Sequence, residues 1–127
     1  MMKPVFLKCE DAVFYLAWGK KEEAVKCLQP SGGILDSSMS EGAGEKHLPM
    51  VECNGSRVCV RVGSVEHPMT EEHSIQWVFL ETEKGGQFAY LDPGKKPEAE
   101  FFLSAGDKAI AAYAYCNLHG FWKTEIL

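Results

Sequence analysis

From residue 49 onwards the chain reads as one short β-strand after another. Val58, Val60 and Val62 alternate with Arg57, Cys59 and Arg61, which gives that segment one apolar and one polar face. Asn54-Gly55 comes just before it. This pair tolerates the positive φ angles of a type I′ turn, so Pro49–Cys53 and Ser56–Val62 are predicted to pair as a hairpin. In that register Cys53 faces Ser56 and Cys59 faces Met50, so the two thiols are not opposed. Ile75–Glu81 and Gln87–Leu91 form a second predicted pair across a loop holding Gly85-Gly86, and Asp92-Pro93-Gly94 makes a turn. Glu100–Leu103, Ala109–Tyr115 and Trp122–Ile126 bring the count to about seven strands. Such a series predicts an all-β chain with an immunoglobulin-like β-sandwich in its C-terminal part.

The first 36 residues are organised differently. Val5-Phe6-Leu7 and Val13–Trp18 are β-like, with Gly19-Lys20-Lys21 as a turn between strands. The apolar run Ala12–Trp18 reads as a buried strand. It is not the apolar centre of a secretion signal, because Glu10 and Asp11 precede it and no small-residue cleavage site follows. Lys21–Cys27 has the pattern of a short helix that Pro30 keeps from extending. Pro30-Ser31-Gly32-Gly33 and Ser37–Gly44 are rich in Gly, Ser and Pro and read as a linker. Two domains are therefore expected, residues 1–36 and residues 37–127.

Charge and cysteine usage narrow the function. A net charge of −5 and a pI near 5.3 argue against a nucleic-acid partner. No apolar run is long enough for a membrane span. Five cysteines, an odd number in no framework spacing, point to reduced thiols or metal ligands and to a cytoplasmic protein.

All four histidines fall between positions 47 and 119. They occur as Glu45-Lys46-His47, His67-Pro68-Met69, Glu72-His73 and Cys116-Asn117-Leu118-His119-Gly120. Singly, each is an ordinary surface histidine. Together, at strand ends and turns and with a Cys-x-x-His pair, they make a candidate metal site. Imidazole suits iron, zinc, copper and nickel, and one thiolate adds a soft donor. Structural zinc usually has two or more cysteines. Four nitrogens and one sulfur would leave a sixth octahedral position open for a reactant.

Four segments resemble the desulfoferrodoxin and neelaredoxin family, the superoxide reductases. They are Glu45–Pro49, Gly63–Met69, Glu72–Trp77 and Tyr115–Lys123, in the family's order and including every histidine. The resemblance covers residues 41–127. It implies one iron per chain, cycling between Fe(2+) and Fe(3+), with His47, His67, His73 and His119 equatorial and Cys116 axial. It implies reduction of superoxide, with two protons and one electron, to hydrogen peroxide. Lys46 would overhang the open face and attract the anion. Glu45 would take the sixth position of ferric iron. Amides of the Asn117–His119 turn would hydrogen-bond the sulfur, and Lys123 would add positive potential. Rubredoxin or a similar protein is the implied electron donor, and a homodimer the implied assembly.

Many members of the family carry a second iron on four cysteines in an N-terminal desulforedoxin-like domain. Here Cys9 and Cys27 stand in such places, but Ala12 and Leu28 replace their partners, so residues 1–36 are expected to be metal-free. Trp18, Trp77 and Trp122 are expected in the core or in an interface. Two other functions compete: an iron-binding electron-transfer module without turnover, and an immunoglobulin-like interaction domain without metal.

Overall fold

The structure is a computed structural model and describes residues 3–37 and 44–126. The chain divides into two compact units, Met1–Asp36 and Ser37–Leu127.

In the first unit β1 (Phe6–Cys9), β2 (Ala12–Tyr15), α1 (Lys21–Leu28) and β3 (Gly32–Leu35) follow one another. The strands form an antiparallel sheet in the order β2-β1-β3. The hairpin turn is Glu10-Asp11, with Glu10 at φ 55 and Cys9 paired to Ala12. Gly19-Lys20-Lys21 therefore does not join two strands; it leads into α1. Ala12–Trp18 is not a buried strand either. β2 is an edge strand, and Phe14 and Tyr15 are exposed. Trp18 lies beyond its end and is 82% exposed, so it is no core residue. Gly32 and Gly33 belong to β3, not to a linker, and pair with Cys9 and Lys8. A Cβ on Gly32 would come within 2.7 Å of the Leu28 Cβ and 3.1 Å of the Cys9 Cβ. Glycine is there because helix and strand approach closely, a packing need that looks like flexibility in the sequence. The remainder of the expected linker, 38–43, lies outside the described residues.

The second unit is a β-sandwich behind a single helical turn, α2 (Gly44–His47). Its strands are β4 (Pro49–Asn54), β5 (Arg57–Val62), β6 (Ile75–Thr82), β7 (Gly85–Tyr90), β8 (Glu98–Phe102), β9 (Ala109–Cys116) and β10 (Gly120–Glu125). One sheet runs β10-β9-β6-β7 and the other β4-β5-β8, all antiparallel. The valines of β5 turn inward as their alternation requires. Val58, Val60 and Val62 are fully buried against Val78 and Leu80 of β6, Ala112 and Ala114 of β9, and Phe101 of β8. Burying each valine or leucine in this way contributes about 1.5–3 kcal/mol. The opposite face of the four-stranded sheet carries a second buried layer of rings, Trp77, Phe79, Tyr113, Tyr115 and Phe121. In it Trp77 stacks on Tyr115 at 5.5 Å and Tyr113 on Phe121 at 5.4 Å.

The first hairpin forms with a different register. Asn54 pairs with Arg57, so the turn residues are Gly55 and Ser56. Among the turn residues only Gly55 has positive φ, at 65°, the sign pattern of a type II′ turn with glycine first. Cys53 thus faces Val58 and Cys59 faces Glu52. The shift is by two residues, so every side chain keeps its expected face. All five cysteines are free thiols.

Candidate metal centre

One end of the sandwich gathers residues from four chain segments. His47 is the last residue of α2, and the turn is seated on Gly63. Gly63 has φ 86, and a Cβ there would collide with the carbonyl of Val65 and meet those of Lys46 at 2.7 Å and Glu45 at 2.8 Å. The Glu45 carbonyl in turn accepts the Val65 N–H at 2.8 Å and the Ser64 hydroxyl at 3.2 Å. His67 follows in this loop, and its ring Nδ1 lies 2.7 Å from the Pro68 carbonyl. That bond makes Nδ1 the protonated nitrogen and leaves the Nε2 lone pair for a metal. His73 closes a small loop with Thr70: the Thr70 N–H donates to the His73 carbonyl at 3.0 Å, and the His73 N–H donates to the Thr70 hydroxyl at 3.1 Å. Cys116 ends β9, fully buried, paired with Ile75 on one side and Gly120 on the other. Gly120, at φ 84, ends the turn that carries His119.

The four imidazoles form a closed cycle. Neighbouring ring centroids lie 4.6 Å apart for His47–His67 and for His67–His73, 5.1 Å for His73–His119, and 4.8 Å for His119–His47. Every pair meets edge-on, at 70–82°. Four such contacts in a ring describe a square, with His47 diagonal to His73 and His67 diagonal to His119. The Nε2 atoms of His47 and His67 are 3.1 Å apart, as are His47 Nε2 and His119 Nδ1. Donors at right angles around an ion with bonds of about 2.1 Å stand about 3 Å apart, so these are metal-ligand spacings. The Cys116 Sγ lies 3.4 Å from His67 Nε2 and 4.0 Å from His119 Nδ1. All five donor atoms fall within 4.8 Å of one another.

Two observations show that these residues fit a transition-metal ion. His73 Nε2 is buried with no hydrogen-bond partner, as a donor aimed at an ion would be. Burial also favours the neutral form of His67 and His73, as ligation requires. His67 is pushed down to about 4, chiefly by burial, against the raising effect of the Pro68 carbonyl and with help from the other three histidines. His73 is lowered by burial, then by His119, then by the charge of Lys46.

The sequence matches the desulfoferrodoxin family over residues 39–125. The chain belongs to the desulfoferrodoxin family. It is 44% identical to the desulfoferrodoxin of Nitratidesulfovibrio vulgaris over 103 residues, 81% of this chain and 79% of that one. It is 38% identical to a protein of Pyrococcus horikoshii named superoxide reductase over 100 residues, 65% of this chain and 87% of that one. The crystal structure of the superoxide reductase from Treponema pallidum superposes with a TM-score of 0.84 at 38% identity, covering 98% of this chain and 100% of that one.

The structure brings the five expected ligand residues together. Glu45 and Lys46 are exposed on the helical turn that ends at His47. The field of Lys46 reaches the site, because it is one of the charges that lower His73. The Asn117 amide, one of the turn amides expected at the sulfur, donates to the Ser74 carbonyl at 3.3 Å. Lys123 pairs with Glu125 at 2.8 Å and sits over the Tyr113 ring, on the aromatic face of the sheet, so its charge is already matched.

The braces of the site carry little signal in the sequence. Asn117 accepts the Ser74 N–H at 3.0 Å and donates to the Glu72 carbonyl at 2.8 Å, which ties the Cys-x-x-His turn to the His73 loop. Only its place inside the Cys-x-x-His spacing could have marked it beforehand.

Proposed function

We propose that the chain is a superoxide reductase, an oxidoreductase with a mononuclear non-haem iron centre. The square of four imidazoles with one thiolate against it carries the reading. His47, His67, His73 and His119 would hold iron by nitrogen and Cys116 by sulfur, one ion per chain. Bound iron supplies one-electron chemistry: superoxide plus one electron and two protons gives hydrogen peroxide, and no dioxygen is made. The protein residues set the conditions for it. Four neutral imidazoles and one thiolate add a single negative charge, so a divalent ion stays net positive and attracts an anion. Lys46 adds a cation on an exposed turn beside His47, offsetting the long-range repulsion from a chain of net charge −5. Glu45, on the same turn, offers an anionic oxygen donor for the more highly charged ferric ion.

The wider assignments rest on chemistry of the same kind. The described residues hold a single cluster of metal-binding geometry, so the electron comes from outside, from rubredoxin or a similar small redox protein. Residues 1–36 form a desulforedoxin-like domain without metal, since Cys9 and Cys27 alone cannot complete a tetrahedral site. A unit of that size needs help to be stable, and its exposed Phe14, Tyr15, Trp18 and Ile34 suit contacts in a homodimer. Five free thiols suit the cytoplasm. No described helix is long and apolar enough to cross a membrane.

Iron-loaded protein tests the reading. Metal analysis should give about one iron per chain, and pulse radiolysis should show fast oxidation of the ferrous protein by superoxide with peroxide as product. Iron binding without that reaction would favour a plain electron-transfer module; no metal binding at all would favour an interaction domain.

A further inference from the structure

Trp122 touches two corners of the histidine square at once. Its ring lies flat on His47, with centroids 4.8 Å apart and planes only 16° from parallel. Every contact among the four histidines is edge-on, so this stack is a different kind of support. The Trp122 indole N–H also donates to the His119 carbonyl at 3.1 Å. His47 and His119 come from segments 72 residues apart, yet their donor nitrogens stand 3.1 Å from each other. Trp122 itself is held on β10, paired with Ala114 of β9, and is half-buried. A rigid ring anchored in the sandwich thus bridges the helical turn of one ligand and the loop of the other.

We propose that Trp122 is a positioning residue of the metal centre: its indole face holds the His47 ring, and its N–H fixes the turn that presents His119. The two contacts act differently. The N–H bond sets geometry, because it removes freedom from the backbone that carries His119. The stack also acts electrostatically. The face of an indole is electron-rich, and an imidazole bound to a cation acquires positive character that increases with the charge of the ion. The stack therefore favours the bound state over the empty one, and the ferric state over the ferrous one. It lowers the reduction potential relative to a site without the ring.

The inference rests on the reading of His47 and His119 as ligands, and its test separates the two. Wild type, Trp122→Phe and Trp122→Leu would be loaded with iron, and each would be measured for iron release to an excess of ferrous chelator and for reduction potential by redox titration of its visible spectrum. Trp122→Leu removes both contacts. It should release iron roughly 10–100-fold faster, the usual cost of losing a supporting partner of a metal ligand, and its potential should rise. Trp122→Phe keeps an aromatic face and loses the N–H. Its release should be faster than wild type, while its potential should return most of the way to the wild-type value. A side chain that merely fills space would alter thermal stability and leave the potential unmoved. If both variants match wild type in release rate and potential, the proposal is wrong. If Trp122→Leu does not fold, Trp122→Phe decides alone, and unchanged release there overturns the role of the N–H bond. A wild-type protein that takes up no iron would instead overturn the proposed function.

Discussion

Replacing Asn117 should loosen the metal centre without disturbing the sandwich beneath it. The Asn117 side chain makes two hydrogen bonds across the site, from the Ser74 N–H at 3.0 Å and to the Glu72 carbonyl at 2.8 Å. Both hold the loop that presents His73 against the turn that presents Cys116 and His119. Each bond has a net worth of about 1 kcal/mol, so Asn117→Ala should cost about 2 kcal/mol. Much of that cost falls on site closure, because the buried valine and alanine core does not include Asn117. At 1.4 kcal/mol per factor of ten, 2 kcal/mol corresponds to roughly 30-fold weaker retention of metal. Asn117→Asp keeps the acceptor for Ser74 and loses the donor to Glu72, so it should fall between. The assay is the rate at which iron-loaded protein surrenders its metal to a chelator, followed through the visible spectrum, with thermal unfolding of the apo forms alongside. A metal-release rate for Asn117→Ala within twofold of wild type would refute the argument, because the His73 loop would then hold its place without the brace.

Cys116→Ser should abolish the visible sulfur-to-iron band of the oxidised protein, whereas Cys53→Ser and Cys59→Ser should leave the colour unchanged; absorption spectra distinguish them. Lys46→Ala should slow capture of superoxide about tenfold with iron content unaltered, and pulse radiolysis across ionic strength should show a shallower salt dependence than wild type. The apo protein should weaken on acidification. His67 has a pKa of about 4 when folded against 6.5 as its ordinary value, so between those values the unfolded chain binds the extra proton and stability falls as pH falls. At pH 5 the loss from His67 alone is about 2 kcal/mol relative to pH 7, and a denaturant midpoint that stays flat over that range would contradict it.

The parts of the fold that were legible in the sequence are those with a strong local period. The valines of β5 declare their buried face by alternation, and the hairpin partners follow from the turns. The turn centre lies one residue further on than expected, which shifts the register by two, because Asn-Gly and Gly-Ser are both acceptable turn centres and the difference is decided by cross-strand pairing of Asn54 with Arg57. Ala12–Trp18 misled for a related reason: apolar content signals burial only when a second layer covers the strand, and β2 lies at an edge. The candidate ligands are legible because histidine and cysteine have metal-donor chemistry and sit here in a specific spacing. Their braces are not. The bonds of Asn117 to Ser74 and Glu72 and the stack of Trp122 on His47 join segments far apart in the chain, and no periodicity reports that.

The square of imidazoles draws its corners from α2, the His67 loop, the His73 loop and the turn after β9, yet the core that aligns these segments contains one ligand only, Cys116. The apolar core therefore does not depend on an ion for its packing, unlike a zinc finger, where the ion is the core, and folding is expected to precede metallation. A site on such a scaffold would take its ion from what surrounds the folded chain, and divalent zinc competes well for such donors. The metal found in a given preparation would then record those surroundings, and zinc in place of iron would make a redox-silent copy of the centre.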